Sequence, residues 1–320
     1  MALLVGIVGT GNMGGRIGRR VHDARTPILA FDSDGGRLKA SGIPPADSLA
    51  ALVGMVDVIL LSLPDSSVVE PVVLGEDGIA AHCRAGQVVV DLSTSSPQST
   101  VAIHERLAQA GVEFLDAGIS GGAKAADAGT LTLMVGGSAE ALERVRPVLD
   151  HFAGKVFHMG DPGSGHVAKL LNNFLNGIAL AATSEVMVAA RKSGLDLERF
   201  LDVLNNSSGM NFATLNRFPS IIKGDYLEGG LTGELMAKDL RLYLEHVARI
   251  GAPTFSGPAC LATFEVANAA GYGDAISNRV VDALGDLAGG VRLQEGAGLQ
   301  DGAGVQDGAG LQDVAEEERA

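Results

Sequence analysis

The sequence predicts an α/β fold, a doubly wound parallel sheet followed by an all-α domain, and three observations carry that expectation. Up to about residue 160, short β-branched apolar runs alternate with helical patterns, which indicates parallel strands covered on both faces. A glycine cluster, "GIVGTGNMGGRI", follows the first of these runs directly. After "GDPGSG" (160–165) the strand pattern stops, and Ala, Leu and Val recur at helical spacing to about residue 290. The predicted organisation is therefore 1–162, a nucleotide-binding α/β domain; 163–293, an all-α domain; and 294–320, a disordered tail.

The predicted strands run in order. "LLVGIVG" (3–9), "PILAFD" (27–32), "VDVILLSL" (56–63), "QVVVDLS" (87–93) and "EFLDAGI" (113–119) read as buried strands, and "LTLMVGG" (131–137) and "VFHMG" (156–160) continue the series. "STVAIHERLAQAG" and "AEALERVRPVLDHFAG" read as helices between them. The tail repeats "QEGAGL", "QDGAGV", "QDGAGL" and ends "EEERA", too rich in Gly and Asp to bury a core.

Composition excludes several classes. The 320 residues suffice for two domains, and the net charge of −14 argues against a nucleic-acid partner. The tail holds seven acids against Arg319, a net of −6, which leaves −8 for the body. No apolar run approaches the roughly 20 residues of a membrane span. The start "MALLVGIVG" is too short for a secretory signal and lacks a basic flank, and Cys83 and Cys260 form no metal spacing. A cytoplasmic protein with reduced thiols, no membrane association and no bound metal is expected.

The glycine cluster reads as a Rossmann-type dinucleotide fingerprint. Gly9 permits a tight turn, Gly11 lets the backbone approach a pyrophosphate, and Gly14 allows close helix packing. Asn12 and Met13 complete the predicted cofactor turn. Asp32, closing the second strand 18 residues beyond Gly14, stands where a carboxylate binds the adenosine ribose. That carboxylate favours NAD over NADP, whose 2′-phosphate it repels; Arg37 nearby blurs the preference.

A second motif is "GSGHVAKLLNN" (163–173), the opening turns of a helix. Lys169 and Asn173, four residues apart, share a helix face. A lysine in a half-apolar cleft exchanges a proton near neutral pH, because desolvation lowers its pKa. Gly163 and Gly165 are expected to let the cofactor approach, Asn172 to point elsewhere, and His166 to be a helix-start residue. In "ISGG", Ser120, Gly121 and Gly122 offer a hydroxyl and backbone N–H groups at the sheet edge, a setting that suits a carboxylate.

With "GTGNMGGRI", "DLSTSSP" (91–97), "DAGISGG" (116–122), "GDPGSGHVAKLLNN" (160–173) and "KDL" (238–240) in order, the chain resembles the 3-hydroxyisobutyrate dehydrogenase family from residue 3 to about 290. The resemblance implies a hydride exchange between NAD and a small 3-hydroxy acid or its semialdehyde, in a homodimer or homotetramer. It assigns catalysis to Lys169, Asn173 and Ser120, and the substrate carboxylate to Ser120, Gly121, Gly122 and Asn173. Leu63 and Pro64 of "SLP", Thr94 and Lys238 would line the cofactor, with Asp239 as the local partner of Lys238 and Ser93 and Ser95 on the substrate side. Val68 stands where some members carry a polar cofactor contact. Ile119 and Ala123 would help select the acid. Two alternatives stay open: an imine or keto reductase of the same architecture, although such relatives usually carry Asp or Tyr at the Lys169 position, and a non-catalytic NAD-binding sensor.

Overall fold

The computed structural model describes residues 3–294, so the expected disordered tail lies almost wholly outside the described residues. All seven anticipated strands form: β1 (Val5–Val8), β2 (Ile28–Phe31), β3 (Val58–Leu61), β4 (Val88–Asp91), β5 (Glu113–Ser120), β6 (Leu131–Gly136) and β7 (Ala153–Gly160). They make one sheet in the order β2-β1-β3-β4-β5-β6-β7, with β2, β1, β3, β4 and β5 mutually parallel. β1, β3 and β4 are buried along their whole length, as continuous Val/Ile/Leu runs demand when both sheet faces are covered. The winding direction reverses between β1 and β3, which opens a crevice at their carboxyl ends.

The expectation of an all-parallel sheet needs a correction, because β6 runs antiparallel to β5. Only ten residues separate Ser120 from Leu131, and their helix Gly122–Ala128 is too short to carry the chain back across the sheet. β7 then pairs parallel to β6 and forms the sheet edge, where Phe157 (52%) and Met159 (45%) are exposed. Its apolar letters therefore face outward more than a buried strand would.

From Ser164 the chain is helical. A helix spanning Ser164–Lys192, here the long helix, threads a core that includes Leu180, Met187, Phe218, Leu240 and Phe264. By length and composition it is apolar enough to cross a membrane, contrary to the sequence expectation, with mean hydropathy 1.2 over an 18-residue window that is 50% buried inside the protein. Lys169, Asn172, Asn173 and Asn176 break its apolar surface. A second helix, Gly233–Arg249, carries Lys238 and packs beside it. Phe174 and Tyr243 stack face to face with ring centroids 4.1 Å apart and lock the register of the two helices.

The first turn of the long helix lies directly on β5 and β6. A Cβ on Gly165 would fall 2.3 Å from the Asp116 carbonyl and 2.4 Å from that of Met134, and one on Gly136 would fall 2.8 Å from Gly165 N. Gly165 is thus a helix-on-sheet contact, not the cofactor approach expected of it. Gly163 adopts φ +93° to admit the chain into the helix, and its space is bounded by Pro97 and Val101. The buried Asp116 carboxylate accepts from Gly163 N at 2.8 Å and His166 N at 2.7 Å, so an anion sits at the positive end of the long helix.

Gly165→Ala is expected to lower unfolding free energy by about 2 kcal/mol or more, the scale of overpacking against rigid backbone. Urea denaturation reads this, and an unchanged midpoint would show that the seam yields.

Candidate active site

The glycine turn has the shape its sequence implies. Gly9 takes φ +90°, and a Cβ there would lie 2.3 Å from the Ser62 carbonyl. Gly14 faces Gly9 O at 2.0 Å from an added Cβ, whereas nothing lies within 4 Å of one on Gly11. That open side, at the start of the helix Asn12–Asp23, fits a dinucleotide pyrophosphate. Met13 packs partly against the sheet core, and Asn12 Nδ2 donates to Gly229 O of the helical domain at 3.2 Å.

Asp32 ends the crevice. It accepts from Thr10 N (2.6 Å), Thr10 Oγ1 (3.0 Å) and Asp34 N (2.9 Å). Partial burial opposes its charge, but the Thr10 and Asp34 amides, the Thr10 hydroxyl and Arg37 outweigh it and hold its carboxyl below the ordinary value. Arg37 pairs with Asp34 at 3.4 Å on the surface.

Leu63, Pro64 and Thr94 occupy loops at the carboxyl ends of β3 and β4. Lys238 reaches them from the helical domain, its Nζ donating to Pro64 O (3.0 Å) and Thr94 O (3.3 Å). Ser93 and Ser95 do not face a substrate, contrary to expectation. Both are buried: Ser93 Oγ accepts from Leu63 N and Ser95 Oγ donates to Asp91 Oδ2, each at 3.0 Å. They shape the loop from within, because the buried Asp91 carboxylate needs local donors. Val68, partly buried, sits in the first turn of the helix Ser66–Leu74.

Lys169 stands one turn into the long helix, where a Cβ on Gly118 of β5 would lie 2.5 Å from Lys169 Cβ. Gly118 lets the lysine stem lie against the strand that ends in Ser120. Desolvation lowers the Lys169 pKa; Asp239 acts against that shift and Lys238 adds to it. Asn173, also buried, donates from Nδ2 to Asp239 Oδ2 at 2.5 Å, and Lys238 Nζ lies 3.1 Å from Asp239 Oδ1. Asn172 Nδ2 reaches back to Asn173 Oδ1 at 3.4 Å rather than pointing away. Ser120 is partly buried at the end of β5, and Gly121 and Gly122 follow it, exposed, with φ +124° and +68°.

Asp239 is the residue that sequence reasoning undervalued. Expected only as the local partner of Lys238, it is 1% exposed and also joins Asn173 and the field at Lys169. Its spacing gave one signal: Asp239 lies four residues before Tyr243, which faces the long helix. Gly118 was also missed, since a glycine inside a strand marks close approach. His166 is a buried first-turn residue, with Nδ1 2.7 Å from Thr100 Oγ1. Among the described residues, no cluster of three or more His, Cys, Asp or Glu side chains forms, and Cys83 and Cys260 are free thiols.

A glycine turn, an acid at the end of the second strand and a desolvated lysine on the helix that covers β5 accord with a nicotinamide-dinucleotide oxidoreductase. Residues 4–160 match the NAD binding domain of 6-phosphogluconate dehydrogenase, and residues 163–284 match the NAD-binding domain of NADP-dependent 3-hydroxyisobutyrate dehydrogenase. The chain is 36% identical over 259 residues to 3-hydroxyisobutyrate dehydrogenase from Pseudomonas aeruginosa, covering 78% of this chain and 87% of that one. It is 34% identical over 247 residues to 2-(hydroxymethyl)glutarate dehydrogenase from Eubacterium barkeri, covering 76% and 82%. The solved structure of Mycobacterium tuberculosis 3-hydroxyisobutyrate dehydrogenase with L-serine matches with TM-score 0.80 at 30% identity, over 89% of this chain and 99% of that one. This chain belongs to the 3-hydroxyisobutyrate dehydrogenase family and is an NAD-dependent hydroxyacid dehydrogenase.

Asp239→Asn is expected to move the acid limb of the kcat/KM profile for alcohol oxidation, where the amine becomes protonated, to lower pH. Removing that negative charge takes away the influence that raises the Lys169 pKa, which already lies below the ordinary 10.5. A pH–rate profile that stays in place would show that Asp239 exerts no field on Lys169.

Proposed function

We propose that the enzyme oxidises the primary alcohol of a small 3-hydroxy acid to its semialdehyde, with Lys169 as the proton-exchanging group. The observation that carries this reading is the placement of Lys169, whose stem packs against Gly118 of the strand that ends in Ser120; the desolvation there favours its neutral form. NAD, bound across the strand ends, supplies the hydride acceptor. Gly9, Gly11, Asn12, Met13 and Gly14 would hold its pyrophosphate, Asp32 its adenosine ribose, and Leu63, Pro64, Thr94 and Lys238 the remainder.

As neutral amine, Lys169 takes the hydroxyl proton while the carbon loses hydride; as ammonium, it returns that proton to the carbonyl oxygen in reduction. Ser120 Oγ and the Gly121 and Gly122 amides receive the substrate carboxylate. Asn173, whose Nδ2 is taken up by Asp239 and whose Oδ1 accepts from Asn172, would offer the second lone pair of that oxygen to the substrate hydroxyl and holds Asp239 in place. Ile119 and Ala123, flanking Ser120 and the glycines, bound the substrate side chain.

The discriminating assay follows absorbance at 340 nm with NAD and a panel of 3-hydroxy acids. Turnover of at least one member is expected, and Lys169→Ala should lower it about 10²- to 10⁴-fold. A flat panel with NAD binding intact favours a sensor; a Lys169→Ala variant that keeps half the turnover sinks the lysine assignment. Asp32 supports NAD over NADP, so Asp32→Ser is expected to narrow the ratio of kcat/KM for NAD to that for NADP, measured with one substrate.

We also propose a homodimer or homotetramer, supported by Leu171 (43% exposed), Leu175 (66%) and Val186 (43%) on the long helix. Light scattering that gives a monomer mass overturns this. A cytoplasmic location accords with the two free thiols.

A further inference from the structure

Arg217 is a cation with no obvious structural counterpart. It sits between the short helices Phe212–Asn216 and Phe218–Ile221 and is partly buried. Its Nη1 donates to Asn278 Oδ1 and its Nη2 to Asn176 Oδ1, both at 2.8 Å, and its guanidinium lies 5.7 Å from the Phe212 ring centroid. Both hydrogen-bond partners are neutral amides. Among the described residues no carboxylate pairs with it, and burial alone pushes its pKa down to about 10. A guanidinium carries five N–H donors, so donors remain beyond those two bonds. A partly buried charge without a carboxylate partner is costly, and such a group is a candidate for meeting an anion from outside.

Two contacts link this cation to elements that border the crevice. Asn176 lies seven residues after Lys169, two turns along the same face of the long helix, a rise of about 10 Å. Asn278 Nδ2 donates to Tyr226 O at 2.8 Å, at the root of the segment that runs on to Gly229. The Gly229 carbonyl in turn accepts from Asn12 of the glycine turn. Arg217 is thus bordered by the helix face that carries Lys169 and by a segment that crosses to the cofactor domain. Phe212, 57% exposed, leaves an apolar surface next to the guanidinium.

We infer that Arg217, held by Asn176 and Asn278, forms a distal subsite for a second carboxylate, so that the preferred substrate is a 3-hydroxy acid bearing an anionic arm. The inference rests on the proposed reaction at Lys169 and deepens it by naming the substrate class. One guanidinium matches one carboxylate; a phosphate dianion would call for a second cation. The apolar methylenes of the arm would lie along the helix face between the Ser120 end of the crevice and Phe212.

The probe is an isosteric pair, 2-(hydroxymethyl)glutarate and its distal amide, with 3-hydroxyisobutyrate as the short reference. Wild-type enzyme should turn over the dicarboxylate with kcat/KM at least about tenfold above the distal amide. Arg217→Gln should collapse that ratio to about one, and so should Asn176→Asp, which keeps the arginine and supplies an internal carboxylate for it. Titration calorimetry of the NAD-loaded enzyme with the same pair reads the subsite without turnover, and thermal melts check that both variants fold. A wild-type ratio near one, or a tenfold ratio that survives in folded Arg217→Gln, overturns the inference. So does an equal loss for dicarboxylate, amide and 3-hydroxyisobutyrate, which would make Arg217 a structural tie. If no 3-hydroxy acid turns over but calorimetry still shows a charge preference that needs Arg217, the anion subsite stands and the proposed reaction fails.

Discussion

The structure depends on a seam of backbone against backbone, where the first turn of the long helix lies on β5 and β6. A Cβ on Gly118, Gly136 or Gly165 would meet Lys169 Cβ, Gly165 N or the Asp116 carbonyl within 2.8 Å. Asp116 binds the helix start with both carboxylate oxygens and satisfies N–H groups that would otherwise be orphaned in a buried setting. Because the sheet is rigid, the height of Lys169 above β5 is set by this contact and not by the lysine itself. A larger residue at any of the three glycines would lift the helix and move the amine relative to Ser120.

The same seam bears on the protonation of Lys169. Protein packed around its stem removes water, which favours the neutral amine. The buried Asp239 opposes that effect, and Lys238, which shares Asp239, limits how strongly it does so. Lys238 simultaneously donates to Pro64 O and Thr94 O across the domain boundary. Charge balance at Lys169 is thereby coupled to contacts that the helical domain makes with the cofactor loops.

Much of this was legible in the sequence. Seven strands could be read from apolar runs, because a strand buried on both faces has no room for polar letters. Gly9, Gly11 and Gly14 could be assigned separate roles, and the structure gives each a distinct environment. The direction of β6 could not be read as well, since strand periodicity is the same in either direction and only the length of the connection distinguishes them. Ser93 and Ser95 misled for a related reason: a hydroxyl in a loop looks the same whether it faces a ligand or satisfies a buried Asp91.

The sequence by itself determined the seven strands, the dinucleotide turn and the shared helix face of Lys169 and Asn173, because strand burial, glycine conformation and helical periodicity are local properties. Tertiary structure alone decided the roles of Asp239, Gly118, Gly165 and Arg217. Their significance lies in contacts between segments distant along the chain, where burial decides which charges are balanced and which stay open to a ligand.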